Sequence, residues 1–200
     1  MDQQIEQNNR KVRTTMPRLH AIAPETTTGH VKALLDGVQT KFGMVPNMMR
    51  TMASCPTVLE GYLQFAGAVG HGQLSSRVRE QVALTVSEFN GCDYCLAAHS
   101  AVGKMLGLTS DQIRDSRLGT AIDSKTDTLL RFAHKVLETH GKLDGSDLQE
   151  VRDAGFDDAA IAEVVANVAL SVFTNFFNNV SETEVDFPKA PALQSEAAAV

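Results

Sequence analysis

The sequence holds only three cysteines, Cys55, Cys92 and Cys95. So small and odd a number makes no disulfide framework, and such frameworks belong to oxidising compartments. Positive charge is short as well: 18 Lys and Arg against 24 Asp and Glu leave a net charge of −6. Nucleic acid is held by clustered Lys and Arg. The nearest approach to a cluster, Arg10-Lys11-Arg13, lies in a polar N-terminal segment and reads as a solvated tail. No nucleic-acid partner is therefore expected. No apolar run reaches the length needed to cross a bilayer, so no membrane association is expected either. The opening residues, Met-Asp-Gln-Gln-Ile-Glu, have neither the basic end nor the apolar stretch of a secretory signal. The expected location is the cytoplasm, where thiols stay reduced. Strand signals are the last thing missing: there is no sustained alternation and no hairpin turn between β-rich runs.

What is present suits one helical domain spanning residues 1–200, since 43% of the residues are apolar and can fill a core. Residues 1–20 lack helical periodicity and read as an N-terminal arm. Residues 181–200 read as an extended C-terminal tail. Between them the punctuation is helical. Thr28 and Gly43 bound one segment, and Pro46 and Pro56 each open another. Ser75 caps a helix through Phe89, and Asn90-Gly91 breaks it. Helices follow from Cys92 to Leu106, from Thr109 or Ser110, from Asp123 or Ser124 to His140, from Ser146 to Ala154 and from Asp157 to about Asn179. The expectation is an all-α, orthogonal or bundle-like fold of about eight helices with short loops.

Chemistry concentrates in Cys92-Asp93-Tyr94-Cys95-Leu96-Ala97-Ala98-His99. On a helix, Cys92, Cys95 and His99 stand at i, i+3 and i+7 and share a face. The sulfurs can then reach each other, and His99 lies one turn beyond Cys95. Three effects can activate a thiol here: the positive end of a helix starting after Gly91, the imidazole, and a carboxylate that orients it. Glu80 and Glu88 are the candidate carboxylates. Lowering a thiol pKa from about 8.5 by about two units takes roughly 2.7 kcal/mol of differential stabilisation. One histidine and one helix end can supply that.

Other readings compete. A c-type haem needs histidine directly after the second cysteine, where Leu96 stands. A thioredoxin needs a βαβ setting. A structural zinc site takes four ligands, and only a distant Cys55 is available as the fourth. Two cysteines packed on an apolar helix face need no chemistry at all. From spacing alone, zinc, packing and redox use remain open.

The run Arg79-Glu80-Gln81-Val82-Ala83-Leu84, followed by Asn90-Gly91-Cys92-Asp93-Tyr94-Cys95-Leu96-Ala97-Ala98-His99, resembles the alkylhydroperoxidase D-like branch of the carboxymuconolactone decarboxylase superfamily. Phe42-Gly43-Met44-Val45-Pro46-Asn47 and Thr183-Glu184-Val185-Asp186-Phe187-Pro188 agree with it, so the similarity runs from about residue 17 to 191. The resemblance implies an all-helical homo-oligomer, as a dimer, trimer or hexamer, with its site between helices. It implies thiol-dependent reduction of hydroperoxides, or of a partner's disulfide, using a dithiol or protein reductant and no cofactor or metal. Glu80 matches the carboxylate that starts a proton relay through a water, His99 the relay histidine, and Cys92 and Cys95 the dithiol. Some members carry histidine between the cysteines where this chain has Tyr94, which leaves either a shorter relay or a residue that only walls the pocket.

The expected mechanism has Cys95 attack the peroxide and Cys92 close the disulfide, with Cys92 the more exposed of the two. The roles can be exchanged, because a helix start favours Cys92. Glu88 is read as an exposed helix residue, Cys55 as a packed or idle thiol, and His71, His134 and His140 as structural. His20 and His30 are read as surface residues. Met44, Met48, Met49 and Met52 are assigned to packing or an interface, as are Phe173, Phe176 and Phe177 to the core or a subunit contact. Two other functions remain: a lyase acting on a lactone acid, which does not require two cysteines, and a redox sensor or oligomeric binding protein that uses the dithiol as a switch.

Overall fold

Nine helices and no strand occur within residues 17–193, the part of the protein that the computed structural model describes. In chain order they are α1 (Gly29–Phe42), α2 (Asn47–Met52), α3 (Pro56–Gly70), α4 (Ser76–Phe89), α5 (Asp93–Met105), α6 (Ser110–Arg117), α7 (Ser124–Thr139), α8 (Gly145–Asp153) and α9 (Asp158–Ser181). The fold is all-α, and the helix limits fall within a residue or two of those read from the sequence.

Capping explains the starts. The side chains of Ser75, Thr109, Asp123, Asp144 and Asp157 each accept a hydrogen bond from a first-turn backbone N–H. Asp144, not Ser146, begins α8, because its carboxylate accepts from both Ser146 and Asp147 N–H. Cys92 caps α5 in the same way: its sulfur accepts from Cys95 N–H at 3.3 Å.

Helix α4 is the centre of the fold and packs against α5, α6, α7 and α9. Every residue from Gln81 to Ser87 is buried, so the helix has no solvent face along that stretch. Val82 and Val86 join Leu129, Leu130, Ala133, Val151, Val164 and Val168 in the largest core cluster. Leu84 turns to a smaller cluster with Leu96, Leu108 and Ile113. A third cluster holds Leu35, Val38, Met48, Met49, Met52 and Leu59 of α1 to α3 against Cys92, Tyr94 and Cys95. Three of the four marked methionines thus pack around the cysteines, while Met44 is exposed.

Two expectations need correcting. At 24 residues, α9 is long and apolar enough, by length and composition, to cross a membrane. In this fold it packs against α3, α4, α5 and α7, and its inner face buries Asn167, Ser171, Thr174, Asn175 and Asn178. The C-terminal tail, as far as it is described, is extended but not free. Asp186 accepts from Asn47 N–H at 2.7 Å, Phe187 meets the Tyr94 ring edge-on at 5.8 Å, and Pro191 O accepts from Arg117 at 2.6 Å. Residues 182–193 therefore form a strap over α2, α5 and α6. Most of the expected N-terminal arm lies outside the described residues. Arg18, within them, is tied to the end of α9 through Ser181 O and Glu182, both at 2.8 Å.

Leu130 is fully buried in the largest cluster. Leu130→Ala is expected to cost about 3 kcal/mol, from lost transfer energy and the cavity left behind. Urea unfolding with an unchanged m-value checks this; a loss below about 1 kcal/mol would mean that the site collapses around the smaller side chain.

Candidate active site

The site is built on the corner between α4 and α5. Gly91 takes φ +61°, a left-handed conformation that costs a side-chain-bearing residue energy. Cys92 N–H then donates back to Ser87 O at 3.0 Å. Amides from α9 hold the corner from outside. Asn90 Nδ2 donates to Asn175 Oδ1 at 2.9 Å, Asn175 Nδ2 to Ser87 Oγ at 3.3 Å, and Asn179 Nδ2 to Asn90 O at 3.1 Å. The reversal sends α5 back along α4.

That reversal brings Glu80 and His99 together. Glu80 Oε2 lies 2.7 Å from His99 Nδ1, with the two side chains 18% and 29% exposed. Spacing along the chain, with Glu80 twelve residues before Cys92, says nothing of this contact. Burial alone would push the His99 pKa down, but the charge of Glu80 and its hydrogen bond outweigh that and raise it. A proton on Nδ1 satisfies the carboxylate, and Nε2 is then free to accept another. His99 stands one turn beyond Cys95 on α5.

The sulfurs of Cys92 and Cys95 are joined as a disulfide, with Cα atoms 5.3 Å apart, inside the usual range for such a bond. Their exposures are 0% and 2%. The expectation that Cys92 is the more exposed is therefore wrong: as the cap of α5 it faces the α1–α3 core, which covers it. Cys95 Sγ accepts from Asn178 Nδ2 of α9 at 3.3 Å.

Tyr94 belongs to a different set of contacts. Its hydroxyl accepts from Met48 N–H at 3.2 Å and interacts with Asp186. Burial, assisted by Asp186, raises its pKa, so it stays protonated. The residue ties the dithiol turn to α2 and the strap. Glu88 is neither exposed nor part of the site: it pairs with the buried Arg117 at 2.7 Å, and Arg117 in turn holds the strap. Cys55 is exposed at the start of α3, and a packed role does not fit it. His71 and His140 are exposed helix caps, and His134 meets the Phe89 ring edge-on at 5.3 Å. Phe173 and Phe176 are exposed, while Phe177 packs against the cluster that holds the cysteines. Among the described residues, no group of three or more His, Cys, Asp or Glu is arranged to hold a metal ion.

Two residues in or beside the site escape a reading of the sequence. Tyr62 of α3 packs on the cysteine cluster, and burial together with the Glu80 charge pushes its pKa up to about 12. Asn178 is the other. The available signal was a row of asparagines in an otherwise apolar helix, because buried amides demand partners.

His99 binds its proton more tightly in the folded chain than in the unfolded one, where its pKa is about 6.5. The Glu80–His99 pair therefore stabilises the fold fully below that unfolded value, and the contribution is lost as pH rises through the folded value. Glu80→Gln should destabilise the protein more at about pH 5.5 than at about pH 9. Equal losses in urea melts at both would show that the histidine is not held charged.

Residues 56–139, which span α3 to α7 and include Tyr62, Glu80, both site cysteines and His99, match the carboxymuconolactone decarboxylase family. No curated protein sequence matches the chain. Among solved structures, it is similar to an alkylhydroperoxidase AhpD core, an uncharacterised peroxidase-related protein from Ralstonia eutropha: 24% identity, 86% of this chain and 93% of that one covered, TM-score 0.76. A peroxidase-related protein from a Silicibacter species has 23% identity, the same coverages and the same TM-score of 0.76. The debrominase Bmp8, in complex with 2,3,4-tribromopyrrole, superposes over 86% of this chain and 94% of its own at TM-score 0.72 and 16% identity. Segment 56–139 is thus similar to the carboxymuconolactone decarboxylase family, and the chain carries it on an all-helical fold like that of the alkylhydroperoxidase AhpD core.

Proposed function

We propose that the protein is a thiol-dependent peroxidase, a disulfide oxidoreductase that reduces hydroperoxides. The observation that carries this reading is the 2.7 Å bond between Glu80 and His99, one helical turn from a Cys92–Cys95 pair. In the reduced state, His99 Nε2 takes the Cys95 proton, directly or through a water, and Glu80 balances the imidazolium. The Cys95 thiolate attacks the terminal oxygen of the hydroperoxide. The O–O bond breaks, Cys95 becomes a sulfenic acid, and the leaving alkoxide takes its proton from His99. Cys92 then attacks Cys95 sulfur and water departs, which closes the disulfide. An external dithiol restores the pair by exchange.

Two features support a small substrate. Both sulfurs are buried, and the dyad forms the more accessible edge of the site. Regeneration by a dithiol fits a reducing compartment such as the cytoplasm. Val165, Phe173, Phe176 and Val180 leave an exposed apolar stripe along α9, which supports assembly into a homo-oligomer. The dithiol weighs against the lyase reading, because that chemistry does not require two cysteines.

Peroxide should be consumed over many turnovers with a dithiol reductant, and either Cys→Ser variant should abolish turnover. Sulfenate trapping should label Cys95 in the Cys92→Ser variant; a trapped sulfenate on Cys92 in Cys95→Ser would exchange the roles. Glu80→Gln should lower kcat/KM by about 10–100-fold, because the imidazole loses its orienting charge. One stoichiometric oxidation without turnover would instead identify a redox sensor.

A further inference from the structure

Helix α9 lies outside the family-matched segment and carries no ionisable residue between Glu163 and Glu182. Its buried face is nonetheless polar, with Asn175 at 0% and Asn178 at 3% exposure. The amide of Asn175 is used at both ends, by Ser87 and Asn90. That of Asn178 is used at one. Nδ2 donates to Cys95 Sγ at 3.3 Å, while Oδ1 is buried with no partner. A disulfide sulfur is a weak acceptor, and burying an amide oxygen unsatisfied is unfavourable. The bond strengthens when the acceptor is charged. An amide fixed this way suits a thiolate better than a disulfide.

We propose that Asn178 is a catalytic hydrogen-bond donor that holds the Cys95 sulfur as a thiolate when the disulfide opens, so that Cys95 and not Cys92 is the leaving sulfur in reduction and the attacking sulfur in the next cycle. The inference rests on the dithiol being redox-active. Without it the local bias runs the other way, since Cys92 sits at the helix start and accepts Cys95 N–H. In reduction, the α1–α3 cover over Cys92 must part for one thiolate of an external dithiol to attack Cys92 Sγ. The S–S bond breaks and its electron pair goes to Cys95 Sγ, beside the Asn178 donor. The second thiol of the reductant then attacks the mixed disulfide. Cys92 departs with that thiol's proton, and the reductant is left as its disulfide.

The ionisable groups around Cys95 are Asp93, Tyr94 and His99 of α5, Glu80 of α4, Tyr62 of α3 and Asp186 of the strap. Arg50 of α2 is taken up by Ile22 O and Asn47. None of these lies on α9, so replacing Asn178 leaves every charge in place.

The test titrates each thiol alone, by thiolate absorbance and alkylation rate against pH, in Cys92→Ser and Cys95→Ser backgrounds. In Cys92→Ser, Asn178→Leu should raise the Cys95 midpoint by about one pH unit and slow alkylation about tenfold below it, with the high-pH plateau unchanged. Asn178→Ala, which also removes the donor and adds no charge, should raise the midpoint as well, and it carries the test if the leucine variant fails to fold. In Cys95→Ser, neither substitution should move Cys92. Equal shifts of both thiols, or no shift in a folded Asn178→Ala, would overturn the inference. Wild-type protein is first equilibrated in dithiol–disulfide buffers. If the pair does not exchange reversibly, the peroxidase reading itself fails; if it does and Cys95 ignores Asn178, only this inference fails.

Discussion

The turn at Asn90-Gly91 is the constraint on which the site depends. Its left-handed glycine ends α4 and lets Cys92 start α5 with an N–H bond back to Ser87. One consequence is chemical: the sulfurs occupy the first turn of a helix, where N–H groups point at them. The other is geometric: α5 returns along α4 in a fixed register, so a residue in the second turn of α5 meets one in the second turn of α4. A one-residue slip would rotate α5 by about 100° and carry His99 off Glu80. The turn is correspondingly overdetermined, with Asn175 and Asn179 of α9 clamped on it.

Around this corner, charges are few and answered. Glu80 is paired with His99, Glu88 with Arg117, and Asp186 with Asn47 N–H and Tyr94. The two tyrosines stay neutral because burial beside a carboxylate opposes a second negative charge. What α9 brings to the cysteines is neutral amide dipoles. Such a setting lets one proton on His99, or one negative charge on a sulfur, dominate the local field, since nothing nearby screens it strongly.

Much of this was legible beforehand, for identifiable reasons. Helix limits followed from Ser75, Thr109, Asp123, Asp157 and Gly43, because caps are local and act on the next few residues. The shared face of Cys92, Cys95 and His99 followed from helical spacing. Glu80 came only from a family likeness, and Glu88 was closer in sequence. The helix reversal pairs the first with His99 and turns the second toward Arg117. Cys92 was expected to be the more exposed from its place at a helix start, and the α1–α3 core covers it instead.

By itself, then, the sequence determined an all-helical chain, the breaks between its helices, and a dithiol with a histidine one turn away. These depend on interactions within a few residues. Tertiary structure alone decided which carboxylate reaches the histidine, how deeply the sulfurs are buried, and that an asparagine from α9, 83 positions after Cys95, donates to one of them. Those contacts join residues far apart in the chain. Their partners are chosen by how apolar faces pack, and the spacing of residues along a single helix carries no record of that choice.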